Sequence, residues 1–80
     1  MRIDKYLKVS RIIKRRTLAN EACDAGRISV NGNVVKASYD VKIGDVIELR
    51  FGEKISKFEV LTVAEHVTKD GAKEMYRVVN

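Results

Sequence analysis

The spacing of apolar residues changes at Gly26, and this change constrains the fold more than any other feature of the sequence. Before Gly26, apolar residues recur every three or four positions, and after it they alternate with polar residues. The first spacing is that of a helix with one buried face, and the second is that of a strand with one buried face. The sequence therefore predicts an α+β fold, in which two N-terminal helices pack on a small, mostly antiparallel sheet.

The two helices are predicted on either side of a tight connection at residues 11–14. The first runs from Ile3 to about Ser10, with Tyr6 and Leu7 on its buried face. The second runs from about Arg15 to Ala25, and Gly26 ends it because a positive φ costs glycine little. The buried stripe predicted for the second helix consists of Leu18, Ala19, Ala22 and Ala25.

The strands are predicted from alternation and from turn residues. Asn31-Gly32 lies between Ile28–Val30 and Val34, and this pair favours a type I′ hairpin turn. Residues 36–43 are predicted to be irregular. Further strands are predicted at residues 46–51, 57–68 and 75–79, with turns at Gly44-Asp45 and Asp70-Gly71.

A length of 80 residues suits one domain. We predict a single domain over residues 1–80, with a core motif region at 1–50 and C-terminal strands at 51–80 that complete the sheet. No apolar run approaches the ~18–20 residues that a membrane-spanning helix needs. The chain does not open with a signal peptide, so we expect it in the cytoplasm with no membrane partner. We also expect it to be a monomer.

The excess positive charge lies in the first third of the chain. Residues 1–27 carry eight basic and three acidic side chains, whereas residues 28–80 carry eight of each, so the net charge of +5 belongs to residues 1–27. Such an asymmetry is typical of a surface that binds a polyanion. The basic residues of this region are Arg2, Lys5, Lys8, Arg11, Lys14, Arg15, Arg16 and Arg27.

The sequence offers little for catalysis or for metal binding. Cys23 and His66 are the only residues of their types, so neither a disulfide nor a zinc site is predicted, and no glycine-rich phosphate loop is present. We predict that Cys23 is a buried small hydrophobe and that His66 is an exposed strand residue. Asp4 is interpreted as a surface aspartate in the first turn of a helix, where the helix dipole favours it. The prediction is a protein that is not an enzyme and has no cofactor.

RNA is the polyanion that the pattern favours. The Lys14-Arg15-Arg16 cluster is predicted at the start of the second helix, where side-chain cations and backbone N–H groups both favour a phosphate. Aromatic residues, which single-stranded binding uses for stacking, are few, and Tyr6 is expected in the core. Structured RNA is therefore favoured over an unpaired strand.

Four segments of the sequence resemble the S-four (S4) RNA-binding domain family. They are Met1-Arg2-Ile3-Asp4-Lys5-Tyr6-Leu7, Arg15-Arg16-Thr17-Leu18-Ala19, Ala25-Gly26-Arg27-Ile28-Ser29-Val30-Asn31-Gly32 and Val41-Lys42-Ile43-Gly44-Asp45-Val46-Ile47. The resemblance implies that the two helices present the RNA-binding surface and that the hairpin flanks it. Charge and resemblance together predict RNA binding by Arg2, Asp4, Lys5, Lys8, Arg11, Lys14, Arg15, Arg16, Arg27 and Asn31.

The sequence is more closely similar to stand-alone members of this family that act in ribosome-associated quality control. This similarity extends through Leu7-Lys8-Val9-Ser10-Arg11 and Ile13-Lys14-Arg15-Arg16-Thr17-Leu18-Ala19. It implies binding to rRNA and to the peptidyl-tRNA of obstructed large ribosomal subunits, in support of C-terminal tailing of the stalled chain, and a tailing factor as a further partner.

Three alternatives remain open at this point. The chain could be the RNA-targeting subunit or a fragment of an RNA-modifying enzyme. It could be a general rescue factor for large subunits that carry peptidyl-tRNA. It could also be a protein-interaction module that uses a sheet edge instead of the helices.

Overall fold

The computed structural model describes residues 1–79. Its elements in chain order are the helices and strands α1 (Ile3–Val9), α2 (Arg16–Asp24), β1 (Ile28–Val30), β2 (Asn33–Val34), β3 (Val46–Phe51), β4 (Lys54–Val60), α3 (Lys69–Lys73) and β5 (Tyr76–Val78). The strands form one sheet in the order β2-β1-β3-β4-β5, and each neighbouring pair is antiparallel. The predicted α+β class is therefore confirmed.

The core forms where the helix pair meets the sheet. Buried residues of α1 and α2 form one hydrophobic cluster with residues of β1, β3 and β4. The side chains of this cluster that are wholly buried are Ile3, Tyr6, Leu7, Ala19, Ile28, Ile47 and Val60. The expected core position of Tyr6 is confirmed, and Cys23 is buried as predicted.

Two predicted turns have the backbone that their residues require. Asn31 and Gly32 have φ of 51° and 90°, so both central positions of the β1–β2 hairpin lie in the left-handed region, as the type I′ prediction demanded. Gly26 has φ of 73° just after the last turn of α2. The β1–β2 turn and the end of α2 before Gly26 were therefore predicted correctly.

The predicted buried stripe of α2 is wrong at two positions. Ala19, Ala22 and Cys23 face the core, but Leu18 is 48% exposed and Ala25 is exposed. Leu18 lies one position before Ala19, about 100° around the helix, so both cannot face the same partner. Ala25 is the C-cap of α2, where the helix has already ended.

The long predicted strand at residues 57–68 is also wrong. Strand β4 begins three residues earlier, because Gly52 has φ of 58° and makes a short turn after β3. It ends at Val60, and residues 61–68 contain no strand. His66 is exposed, as predicted, but it lies outside the strands.

The turn predicted at Asp70-Gly71 is instead part of helix α3. The hydroxyl of Thr68, the N-cap residue, accepts a hydrogen bond from the Gly71 backbone N–H at 3.1 Å. This cap satisfies one of the N–H groups that a helix start leaves without a partner. The Asp-Gly pair, which favours a turn, lies here in a helix that the neighbouring Thr68 caps.

Tyr6 joins the first helix to the last part of the chain. Its buried hydroxyl donates a hydrogen bond of 2.8 Å to the carbonyl oxygen of Met75, just before β5. The same carbonyl accepts hydrogen bonds from the backbone N–H groups of Leu61 and Thr62. Tyr6 of α1 and the first two residues after β4 thus share one acceptor.

We expect Tyr6→Phe to lower the free energy of unfolding by about 0.5–1.5 kcal/mol, because one buried hydrogen bond is lost while the ring stays packed. Urea denaturation followed by circular dichroism measures this change. Tyr76→Phe is the matched control, since the Tyr76 hydroxyl makes no hydrogen bond within residues 1–79 and a smaller effect is expected. Equal losses in both variants would contradict the role assigned to Tyr6.

Candidate RNA-binding surface

Asp4 lies between α1 and α2 and is almost wholly buried. Its side chain is 2% exposed, and one of its carboxylate oxygens accepts a hydrogen bond of 2.7 Å from the Lys5 backbone N–H. The other oxygen accepts a hydrogen bond of 3.3 Å from the side-chain amide of Asn20 on α2. The interpretation of Asp4 as a surface residue was therefore wrong, although its place in the first turn of α1 was correct. A helix that packs against α1 covers it.

Two arginines converge on the buried carboxylate. Arg2 donates from Nε and Nη2 to both oxygens of Asp4 at 3.3 Å, and Arg16 Nη2 lies 3.4 Å from Oδ1. The two arginine side chains remain 51% and 48% exposed. A guanidinium has five N–H donors in a planar fork, so each arginine keeps donors beyond those used on Asp4. We call Arg2, Asp4, Arg16 and Asn20 the Asp4 cluster.

The Asp4 carboxyl is ionised at neutral pH. Burial by itself raises its pKa, but hydrogen bonds from Asn20, from the Lys5 backbone and from Arg16 outweigh burial and bring the pKa below its ordinary value of 3.8. A buried carboxylate is tolerated when it is paired and hydrogen-bonded in this way. The Asp4 cluster therefore holds two cations around one buried anion.

Three further basic residues line a separate cavity. Lys8, Arg11 and Lys14 face Glu65, His66 and Val67 of the segment that precedes α3, around a cavity of about 440 Å³. Lys5 forms an ion pair with Glu65, and this pair lowers the pKa of the Glu65 carboxyl. The residues that line the cavity are Lys8, Val9, Arg11, Lys14, Glu65, His66 and Val67, and we call these seven residues the basic pocket.

The Lys14-Arg15-Arg16 cluster is divided between these two places. Lys14 lines the basic pocket, Arg16 belongs to the Asp4 cluster, and Arg15 is the exposed N-cap of α2. Arg15 has extended backbone angles, φ −129° and ψ 140°, and in extended chain successive side chains point in opposite directions. Three consecutive cations therefore do not form one patch.

Arg27 and Asn31 lie apart from both groups. The Arg27 guanidinium lies over the Phe51 ring, 5.5 Å from its centroid, at the far end of α2. The Asn31 amide donates to Asp45 at 3.1 Å and accepts from the Val46 backbone N–H at 3.0 Å. The side chain of Asn31 thus stabilises the hairpin, and its predicted RNA contact stays a prediction.

Reasoning from the sequence missed three side chains at these places. Asn20 follows Arg16 by four residues, so helical spacing indicates that both face the same neighbour, but nothing identifies that neighbour as Asp4. Glu65 and His66 were assigned to a strand, and no signal in the sequence places them beside α1. Only the structure shows that residues 65–67 border α1 and the connection that follows it.

Other chemistry finds little support in residues 1–79. In this range no group of three or more His, Cys, Asp and Glu side chains could hold a metal ion. Burial, together with Asp4 and Asp24, raises the pKa of the Cys23 thiol to about 11, so the thiol is protonated at neutral pH. In the same range no helix is long and apolar enough to cross a membrane.

The comparisons with known proteins agree with this architecture. The family model described as "S4 domain" matches residues 1–47, which include α1, α2 and the β1–β2 hairpin. A trimeric structure of Vibrio cholerae heat shock protein 15 is similar, with a TM-score of 0.89 and 30% identity over 99% of this chain and 81% of that one.

Curated relatives are similar over almost the whole chain. The "RQC P-site tRNA stabilizing factor" of Halalkalibacterium halodurans is 56% identical over 98% of this chain and 89% of that protein. The protein of the same name from Bacillus subtilis is 53% identical over 99% of this chain and 92% of that one. The chain belongs to the S4 domain family and, within it, to the group of RQC P-site tRNA stabilizing factors (RqcP).

We expect Asp4→Asn to lower the free energy of unfolding by about 1.5–3 kcal/mol at pH 7, because charge-assisted hydrogen bonds to two helices become neutral ones. The pKa of Asp4 is lowered in the folded state, so its contribution is present above pH 3.8 and is lost as the pH falls through the folded pKa. The difference between wild type and variant should therefore shrink in acid. Urea denaturation at a series of pH values measures it.

Asp24→Asn is the matched control, since Asp24 is an exposed acid on α2. It should change the free energy of unfolding by less than about 0.5 kcal/mol. A gap between wild type and Asp4→Asn that stays constant from pH 7 to pH 2 would contradict an ionised Asp4.

Proposed function

We propose that this chain is a non-catalytic RNA-binding protein that docks on rRNA and on the tRNA of large ribosomal subunits obstructed by peptidyl-tRNA. In this role it supports C-terminal tailing of stalled chains in ribosome-associated quality control. The observation that carries the proposal is the Asp4 cluster, which holds two half-exposed arginines from different segments side by side. The relatives' name, which specifies P-site tRNA, supports the choice of partner.

The chemistry of the surface suits a phosphate backbone. Guanidinium groups bind phosphate oxygens in pairs, and every neutralised phosphate also releases counterions. Asp4 itself cannot approach RNA, because it is buried and its oxygens are already hydrogen-bonded. In this proposal it orients Arg2 and Arg16, and the RNA is contacted by Arg2, Lys5, Lys8, Arg11, Lys14, Arg15 and Arg16, with Arg27 and Asn31 at the flank.

The proposal has three further parts, which concern assembly, partner and chemistry. The chain acts as a monomer in the cytoplasm, and a tailing factor meets it on the ribosomal subunit. It carries out no chemical step, since Cys23 is buried and protonated and His66 lies beside cations instead of a nucleophile. Binding and positioning of RNA are the whole of its proposed activity.

We expect the tagged protein to sediment with large ribosomal subunits at low salt and to be released as salt screens the phosphate contacts. Arg16→Ala should weaken the association about tenfold or more, because a charged hydrogen bond contributes about 1.5–3 kcal/mol. Sucrose-gradient sedimentation of cell lysate measures both effects. Lys57→Ala, which removes an exposed cation from β4, serves as the control and should sediment as wild type does.

The requirement for tRNA can be tested separately. Large subunits that carry peptidyl-tRNA should bind the protein more tightly than subunits stripped of tRNA, because tRNA phosphates add to those of rRNA. Binding of labelled protein to the two purified preparations measures the difference. Equal affinities would contradict the tRNA part of the proposal, and no binding to either preparation would overturn the ribosomal part.

A further inference from the structure

The basic pocket contains more positive charge than the protein itself neutralises. Lys8, Arg11 and Lys14 line it, and none of the three forms an ion pair within residues 1–79. The one carboxylate in the pocket, that of Glu65, is already paired with Lys5. Three cations that converge on one cavity without anionic partners repel each other, and an anion between them would remove that repulsion.

The backbone of Arg11 is a second and independent observation. Arg11 has φ of 64°, just past the C-cap of α1, where its N–H donates to the Lys8 carbonyl oxygen at 3.0 Å. Glycine is the usual residue at this position, because a Cβ disfavours the left-handed conformation. The other non-glycine residue with positive φ in residues 1–79 is Asn31, a type that tolerates it. Arginine at such a position indicates a use for its side chain.

The pocket and the Asp4 cluster have different neighbours around α1. Asp4 contacts Asn20 and Arg16 of α2, whereas the next residue, Lys5, contacts Glu65 of the segment after β4. Helix α1 therefore contributes residues to two cationic sites. The second of these includes residues beyond 1–47, the part that the S4 domain model matches.

From these observations we propose that the basic pocket binds a phosphate group of the RNA backbone, with residues 65–67 forming its far wall. The proposal rests on the proposed function, since it takes RNA as the partner. A phosphate group of a free nucleotide has the same chemistry, so the experiment must distinguish the two sources. A cavity of about 440 Å³ has room for a phosphate together with the sugar that carries it.

The substitution Arg11→Gly distinguishes a loss of binding by the pocket from a loss of protein stability. Glycine relieves the backbone strain, so the melting temperature should rise, while affinity for large subunits should fall several-fold. The slope of log affinity against log salt concentration should become shallower by about one phosphate contact. A variant that melts higher and binds less tightly cannot owe its weaker binding to a damaged fold.

Glu65→Gln is expected to change the affinity for large subunits in the opposite direction. It removes the one carboxylate from the pocket and releases Lys5, so affinity for large subunits should increase. Glu53→Gln, an exposed acid in the turn before β4, is its matched control and should bind as wild type does. Arg11→Gly and Glu65→Gln could both leave the affinity unchanged while Arg16→Ala still weakens it. That result would contradict phosphate binding in the basic pocket and would leave the proposed function standing.

Direct binding can be followed by NMR at the amides of residues 65–67 in the whole chain. Inorganic phosphate and a short RNA duplex should both shift these amides in wild type, and neither should do so in Arg11→Gly. Shifts with guanosine triphosphate but not with RNA would overturn RNA as the source, and no shift with any probe would overturn the site. Shifts with phosphate in a protein that fails to bind subunits would support an anion site while contradicting the proposed function.

Discussion

The carboxylate of Asp4 is the interaction on which the arrangement of the two helices and their arginines depends. It is buried where α1 meets α2, and it is bonded to the backbone of one helix and to Asn20 and Arg16 of the other. An unpaired carboxylate at this depth would be strongly unfavourable, so its partners must be in place whenever the helices are packed. The same bonds limit the freedom of the half-exposed guanidinium groups of Arg2 and Arg16, and a ligand that uses them meets groups already ordered.

Positive charge is distributed around α1 and does not form a single patch. The Asp4 cluster lies where α1 meets α2, and a second cationic site lies where the residues around the end of α1 meet the segment between β4 and α3. The backbone of this segment is tied to Met75, and the Met75 carbonyl also accepts the hydrogen bond from Tyr6 of α1. A buried hydrogen bond in the core thus helps to position a cationic cavity on the surface. This link joins the C-terminal third of the chain to the helices that lie within the S4 domain match.

Much of the fold could be predicted because its signals are local. The Asn31-Gly32 hairpin, the end of α2 at Gly26 and the burial of Tyr6 each depend on a few neighbouring residues. The failures occurred where a local signal was outweighed. Thr68 caps a short helix over an Asp-Gly pair, and Gly52 starts β4 earlier than alternation alone suggested. For the candidate site, residue types and charge excess could be predicted, but burial of Asp4 could not, because it depends on a helix twelve or more positions away.

By itself the sequence determined the α+β class, the order of the first two helices and of the strands after them, and the concentration of positive charge in residues 1–27. Period and composition are properties of short stretches, so they can be read without knowing which elements meet. Only the tertiary structure decided which residues became neighbours. It paired Asn20 with Asp4 across 16 positions and Lys5 with Glu65 across 60, and it divided Lys14 from Arg16. The physical reason is that the spacing of apolar residues indicates which face of a helix or strand a residue occupies. The partner of that residue depends instead on how separate elements pack against each other.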